Sequence, residues 1–270
     1  MLECVINVSE GRRADVIAAV RAAAGDHVLD VHTDASHNRS VLTLAGPDVE
    51  ERAFAVVAAA IARIDIREHE GVHPRLGAAD VVPFVPLGAT PIDDAIAARD
   101  RAAARVAAEL AVPCFLYGPE RALPDVRRRA FVTLEPDVGP PHAHPSAGAC
   151  CIGARPVLVA YNLWLATPST INDARRIAGA IRQPGLRTLG LLVDGTPQVS
   201  CNLVDPTRLG PAVAYDLVAS MARIERAELV GLVPATALAA VPAGRWEQLD
   251  LAPERTLEAR LQQAGLDGGS

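Results

Sequence analysis

With 270 residues, half of them hydrophobic, the chain is long enough to bury a full core as one large or two small domains. A net charge of −6 at pH 7 with 21% charged residues excludes a general basic surface for nucleic acid or anionic membrane, so an anionic ligand needs a local arginine cluster. The sequence has no lysine, which removes Schiff-base and P-loop lysine chemistry.

Leu2 to Val8 reads as a first strand, and Ser9 is placed to cap a helix over Arg12 to Ala24. Val28 to Thr33 and Arg39 to Ala45 read as extended runs joined by the polar turn at 34 to 38. Phe54, Val57, Ile61 and Ile64 recur at helical spacing over Val49 to Ile64. Val81 to Val85 is expected to be a buried strand, Ile92 to Leu110 an alanine-rich helix, and Cys114 to Tyr117 a short strand. Gly118 to Gly148 reads as mostly irregular, with an arginine run at 127 to 129; a segment of that length leans toward a binding loop. The second half predicts a strand over Val157 to Leu165 and a helix over Thr170 to Gln183, opened by a Thr170–Asp173 capping box. Strands at Leu186 to Val193 and Gln198 to Val204 flank the hairpin signal Asp194-Gly195. A helix from Pro211 to Arg226 and a strand over Glu228 to Val233 complete that half.

The order of the second half is β-α-β-β-α-β, and the first half follows the same order with extra elements around residues 67 to 86. The expected fold is therefore α/β (α+β), two ferredoxin-like βαββαβ subdomains over 1–155 and 156–270, with a ligand cleft between them. The cysteines, Cys4, Cys114, Cys150, Cys151 and Cys201, form no C-x-x-C pair, and Met1 to Glu10 carries no basic-then-apolar leader. Together these predict a reduced, cytoplasmic protein. No apolar run predicts a membrane span, because Arg155 and Pro156 break the longest, Gly148 to Ala166.

R-E-H-E-G-V-H-P-R-L-G-A-A-D, residues 67 to 80, concentrates chemistry in a chain otherwise rich in Ala, Val and Leu. Its H-E-G-V-H has the spacing of a zinc-protease helix, but Gly71 and Pro74 argue for a turn at His73. A histidine held on a turn beside Arg75 has the chemistry of a general acid or base; the plain alternative is a turn histidine that bonds its neighbours. The pairs His32/His37, His69/His73 and His142/His144, with Asp34 and Asp80, offer ligands for a metal, but no pair lies on a predicted helix face, so no metal is expected. The guanidinium groups of Arg39 and Arg75 suit a substrate carboxylate.

E-C-V-I-N-V-S-E-G at 3 to 11, H-N-R-S-V-L-T at 37 to 43, G-V-H-P-R-L-G-A-A-D at 71 to 80, G-A-R-P-V-L-V-A-Y-N at 153 to 162 and L-V-G-L-V-P at 229 to 234 together resemble the glutamate formiminotransferases. The match is ordered, covers nearly the whole chain, and is similar to the N-terminal portion of formiminotransferase-cyclodeaminase. The resemblance implies transfer of a formimino group from N-formimino-L-glutamate to tetrahydrofolate in histidine breakdown, usually by a homodimer; the charge balance and the apolar runs predict neither a nucleic-acid nor a membrane partner. It implies His73 as the catalytic histidine. It implies folate binding by Gly139, Pro140, Pro141, His142, Ala143, His144, Pro145, Ser146, Ala147 and Gly148. Vertebrate members have a Trp where this chain has Ala147 and an acidic residue where it has His32. Formyl transfer from N-formylglutamate, a metal-dependent amidohydrolase and a non-catalytic folate-binding module are the rival readings.

Overall fold

The computed structural model describes residues 1–72 and 75–266. It divides into two compact units, Met1–Pro156 and Val157 to the end of the chain, each with its own sheet.

The first unit begins with β1 (Leu2–Val8), α1 (Ala14–Ala23), β2 (Val28–Asp34), β3 (Arg39–Ala45), α2 (Val49–Ile61) and β4 (Ala79–Pro86). These four strands lie in the order β2-β3-β1-β4, all antiparallel to their neighbours, which is the ferredoxin-like arrangement. The extra elements follow β4 instead of surrounding the histidine loop. They are α3 (Ile92–Leu110), β5 (Cys114–Tyr117), α4 (Leu123–Arg129) and β6 (Cys150–Ala154), with β6 inserted parallel between β4 and β5. Strand alternation sends Cys4, Ile6 and Val8 of β1, with Leu42 and Leu44 of β3, against Val16, Val20, Val56, Val57 and Val106 of the helices. Burying a side chain the size of Leu42 contributes roughly 1.5–3 kcal/mol.

In this unit two elements depart from expectation. Residues 118–148 hold α4, whose inward Val126 joins Val81, Phe115 and Cys151 on the face of the sheet away from α1 and α2. Cys150–Ala154, buried at every position, is a strand: a run covered on both faces shows no alternation to announce it.

The second unit has β7 (Val159–Leu165), α5 (Ile171–Ile181), β8 (Leu186–Val193), β9 (Thr196–Leu203), α6 (Pro211–Ala219) and β10 (Ile224–Val230). Its sheet runs β10-β7-β9-β8, antiparallel throughout, the same ferredoxin-like order. The capping box on α5 and the Asp194-Gly195 hairpin form as expected. The α6 helix ends at Ala219, earlier than its sequence suggests, because Ile224 to Leu229 pair with β7 and the ladder satisfies backbone groups a longer helix would have used. Tyr161, buried in the core, donates its hydroxyl to the Leu249 carbonyl at 2.9 Å and so ties the last segment to the sheet. Among the described residues no helix is long and apolar enough to cross a membrane.

Candidate active site

Three segments of the first unit meet around the loop between α2 and β4: the end of β1, the β2–β3 turn, and the residues just before β6. Ser9 does not cap α1. Its hydroxyl donates to the Gly77 carbonyl at 2.7 Å and its backbone N–H to Ala78 at 2.8 Å, which fastens the end of β1 to the loop. The Glu10 carboxylate binds the approach to α1 instead, accepting the backbone N–H groups of Arg12 and Arg13, just ahead of the helix, at 2.8 and 2.9 Å. Burial pushes the Glu10 carboxyl up, but those two backbone bonds and the Arg13 guanidinium outweigh it and hold the group below its usual range.

The β2–β3 turn carries a pairing that sequence reasoning missed. Asp34 accepts the backbone N–H groups of Ser36 and His37 through one oxygen, and its other oxygen lies 2.6 Å from His37 Nδ1. A carboxylate only accepts, so Nδ1 is the donor in this contact. The spacing D-x-x-H within a polar turn was the available signal. Asn38, with φ of +47°, is the clasp of the site. Its side-chain oxygen accepts Gly11 N–H at 2.9 Å, its amide donates to the Glu70 carbonyl at 3.2 Å, and its own carbonyl accepts His69 Nε2 at 2.8 Å. The loop lies so close that a Cβ on Gly71 would sit 2.4 Å from the His37 carbonyl oxygen.

His73 lies outside the described residues, as does Pro74. The residues on either side of them are held. On the far side, Leu76 N–H donates to Asp80 at 2.8 Å, Ala78 N–H to the Ala147 carbonyl at 2.9 Å, and Ala149 N–H to the Leu76 carbonyl at 2.9 Å. Asp80 is fully buried and receives Arg75 Nη1 at 3.3 Å and Arg127 Nη2, from α4, at 2.6 Å. Burial pushes the Asp80 carboxyl up, yet the Arg127 and Arg75 charges prevail and hold it low. Arg127 is the second residue missed: α4 was not expected, so nothing placed its cation beside Asp80.

Among the described residues, the end of the segment 139 to 148 is docked on the loop. His144 and Gly148 exchange both backbone hydrogen bonds at 2.8 and 2.9 Å, His144 Nδ1 accepts Ala147 N–H at 3.0 Å, and the Ser146 carbonyl accepts Ile66 N–H at 2.7 Å. Gly148 adopts φ of +70°, and a Cβ there would lie 2.1 Å from the Leu76 carbonyl oxygen. Gly139, Pro141, His142 and Ala143 are exposed. Arg39 opens β3 at the end of the β2–β3 turn, close enough to Asp34 for its charge to help hold that carboxyl low. The structure therefore gathers Arg75, the 144–148 turn and the flanks of His73, and sets Arg39 at the neighbouring turn.

All five cysteines are free and buried, and burial pushes the Cys114 thiol up to about 12, so they act as small apolar residues. Among the described residues no three His, Cys, Asp or Glu side chains are grouped to hold a metal ion.

A family model described as the formiminotransferase domain, N-terminal subdomain, matches residues 1–155. The chain is 36% identical over 271 residues to a glutamate formimidoyltransferase of Streptococcus pyogenes serotype M1, covering 88% of this chain and 90% of that protein. It is 35% identical over 277 residues to one of Thermoplasma acidophilum, covering 88% and 89%. It is 35% identical over 309 residues to the formimidoyltransferase-cyclodeaminase of Sus scrofa, covering 99% of this chain and 57% of that longer protein.

Proposed function

We propose, because this chain belongs to the formiminotransferase family and is a transferase, that it moves the formimino group of N-formimino-L-glutamate to tetrahydrofolate. In this reading it serves histidine degradation and one-carbon metabolism as a cytoplasmic homodimer. Tetrahydrofolate is a substrate, and the reaction transfers no electrons.

N5 of tetrahydrofolate attacks the amidine carbon. The new C–N5 bond forms, N5 gives up its proton, and a tetrahedral intermediate results. The bond to the glutamate nitrogen then breaks, and that nitrogen leaves as an amine only if a proton reaches it. One imidazole with a pKa of about 6.5 can take the first proton and return the second, and His73 is the proposed carrier. Residues 139–148 are the proposed folate segment, and Arg39 and Arg75 the proposed partners of substrate carboxylates.

One observation carries the reading. The loop around His73 is fastened at His69 and Glu70 to Asn38, and at Leu76 and Ala78 to Asp80, Ala149 and Ala147. The residues that flank the proton carrier and the end of the folate segment thus form one hydrogen-bonded assembly inside a single unit. Such fixing is what proton transfer and orientation require.

The test is direct. Purified protein with tetrahydrofolate is given N-formimino-L-glutamate or N-formyl-L-glutamate, and folate product and released glutamate are followed by absorbance and mass spectrometry. The expected result is transfer from the formimino donor; transfer from the formyl donor alone would replace the donor, and no transfer from either would end the assignment.

A further inference from the structure

We infer that Arg75 and Arg127, joined through Asp80, form a receptor for a carboxylate of an N-substituted glutamate, with Arg127 as the residue that holds the receiving fork in place. The choice of ligand rests on the formimino-transfer reading; the existence of the receptor does not.

Charge is the first argument. Two guanidinium groups, those of Arg75 and Arg127, converge on the one carboxylate of Asp80. Asp34 also reaches Arg75 electrostatically, but its charge is already engaged by His37 and Arg39. A cation held out of water is stabilised by each anion that joins it.

Geometry is the second argument. The Arg75 side chain is only 4% exposed, and it meets Asp80 through Nη1. Its Nε and Nη2 are buried without a hydrogen-bond partner among the described residues. Those two donors are one edge of the guanidinium, the parallel pair that binds a carboxylate through both oxygens. Asp80 is fully buried, while Arg127 is 19% exposed, so an incoming anion approaches past Arg127.

Position is the third. Arg75 is two residues from the proposed proton carrier His73 along the chain. A receptor for the donor's carboxylate would thus lie on the same stretch of sequence as the proposed proton carrier. The donor and the tail of folate share this glutamate chemistry.

Calorimetry on the purified chain tests the receptor without turnover. The probes are N-acetyl-L-glutamate for the donor, p-aminobenzoyl-L-glutamate for the folate tail, and both monoamides of each. In the native protein, neutralising one carboxylate of one probe is expected to weaken binding about tenfold or more. The probe and position affected name the source and the carboxylate. Arg127→Gln should erase that acid-over-amide preference, and Arg127→Lys, which keeps the charge but loses the fork, should leave part of it; Arg127→Lys decides if the Gln variant does not fold. Acid and amides binding equally to the native protein, or an undiminished preference in a folded Arg127 variant, would reduce the cluster to a structural staple and overturn the inference. A receptor that behaves as expected in a protein that transfers no formimino group would sink the functional reading alone.

Discussion

The carboxylate of Asp34 lies 2.6 Å from Nδ1 of His37, and both side chains are largely removed from water at 11% and 3% exposure. The pair braces the turn against which Gly71 packs, so it supports the loop from outside.

Its signature is the acid limb of stability. Burial pushes the Asp34 carboxyl up, but the His37 ring and the backbone N–H of His37 overcome it and hold the folded-state value well below the usual range. The unfolded chain ionises near 3.9, so the stabilisation is complete above that pH and is lost as pH falls toward the folded value. Asp34→Asn should be about 1–2 kcal/mol less stable than the native chain at pH 7, with the gap narrowing below about pH 4. Urea unfolding at a series of pH values measures it, and a gap independent of pH would contradict the pairing.

His73→Ala is expected to lower turnover by roughly 100-fold or more while the dissociation constant for folate stays within about twofold. Single-turnover kinetics beside an equilibrium titration separates the two. An undiminished rate would hand the proton transfer to another residue, and the first to examine is His37, whose ring is oriented by Asp34.

Asp80→Asn leaves two guanidinium groups in a buried site without their shared counter-charge, and should cost about 3–5 kcal/mol. Adding Arg127→Gln removes one of the two cations, so the double variant should be more stable than the sum of the single losses predicts. Additive losses would mean that Arg127 and Asp80 do not share an ion pair.

Gly148→Ala would have to hold alanine at φ of +70° with its Cβ 2.1 Å from the Leu76 carbonyl oxygen. The expected loss is about 1–3 kcal/mol, with the 144–148 turn displaced from the loop. On the proposed assignment of that turn, KM for tetrahydrofolate rises while KM for the donor changes less. Equal rises in both would argue for general loosening of the site.

Local hydrogen bonding and steric rules made much of this fold legible. The α3 helix sits between Pro91 and the Ala111-Val112-Pro113 stop, the α5 helix opens on a capping box closed by its own first turn, and the β8–β9 register follows from the Asp194-Gly195 turn. Each depends on residues within a few positions of each other, which is why a string of letters suffices. The motifs at 37 to 43 and 71 to 80 also drew attention to the stretches that assemble the site.

Other features have no local cause. The α4 helix is seven residues long and is held by Val126 packing on Phe115 and Cys151; β6 exists because β4 and β5 present unpaired edges on either side of it. By itself the sequence determined the two βαββαβ units and singled out the loop proposed to carry the chemistry, because periodicity, caps and turn residues act over short range. Only the tertiary structure decided that Arg127 would reach Asp80 across 47 positions and that Ala147 would bond to Ala78 across a gap of similar scale. Those bonds form when chain closure brings buried charges and backbone groups together, and their stability comes from the removal of water that no local pattern records.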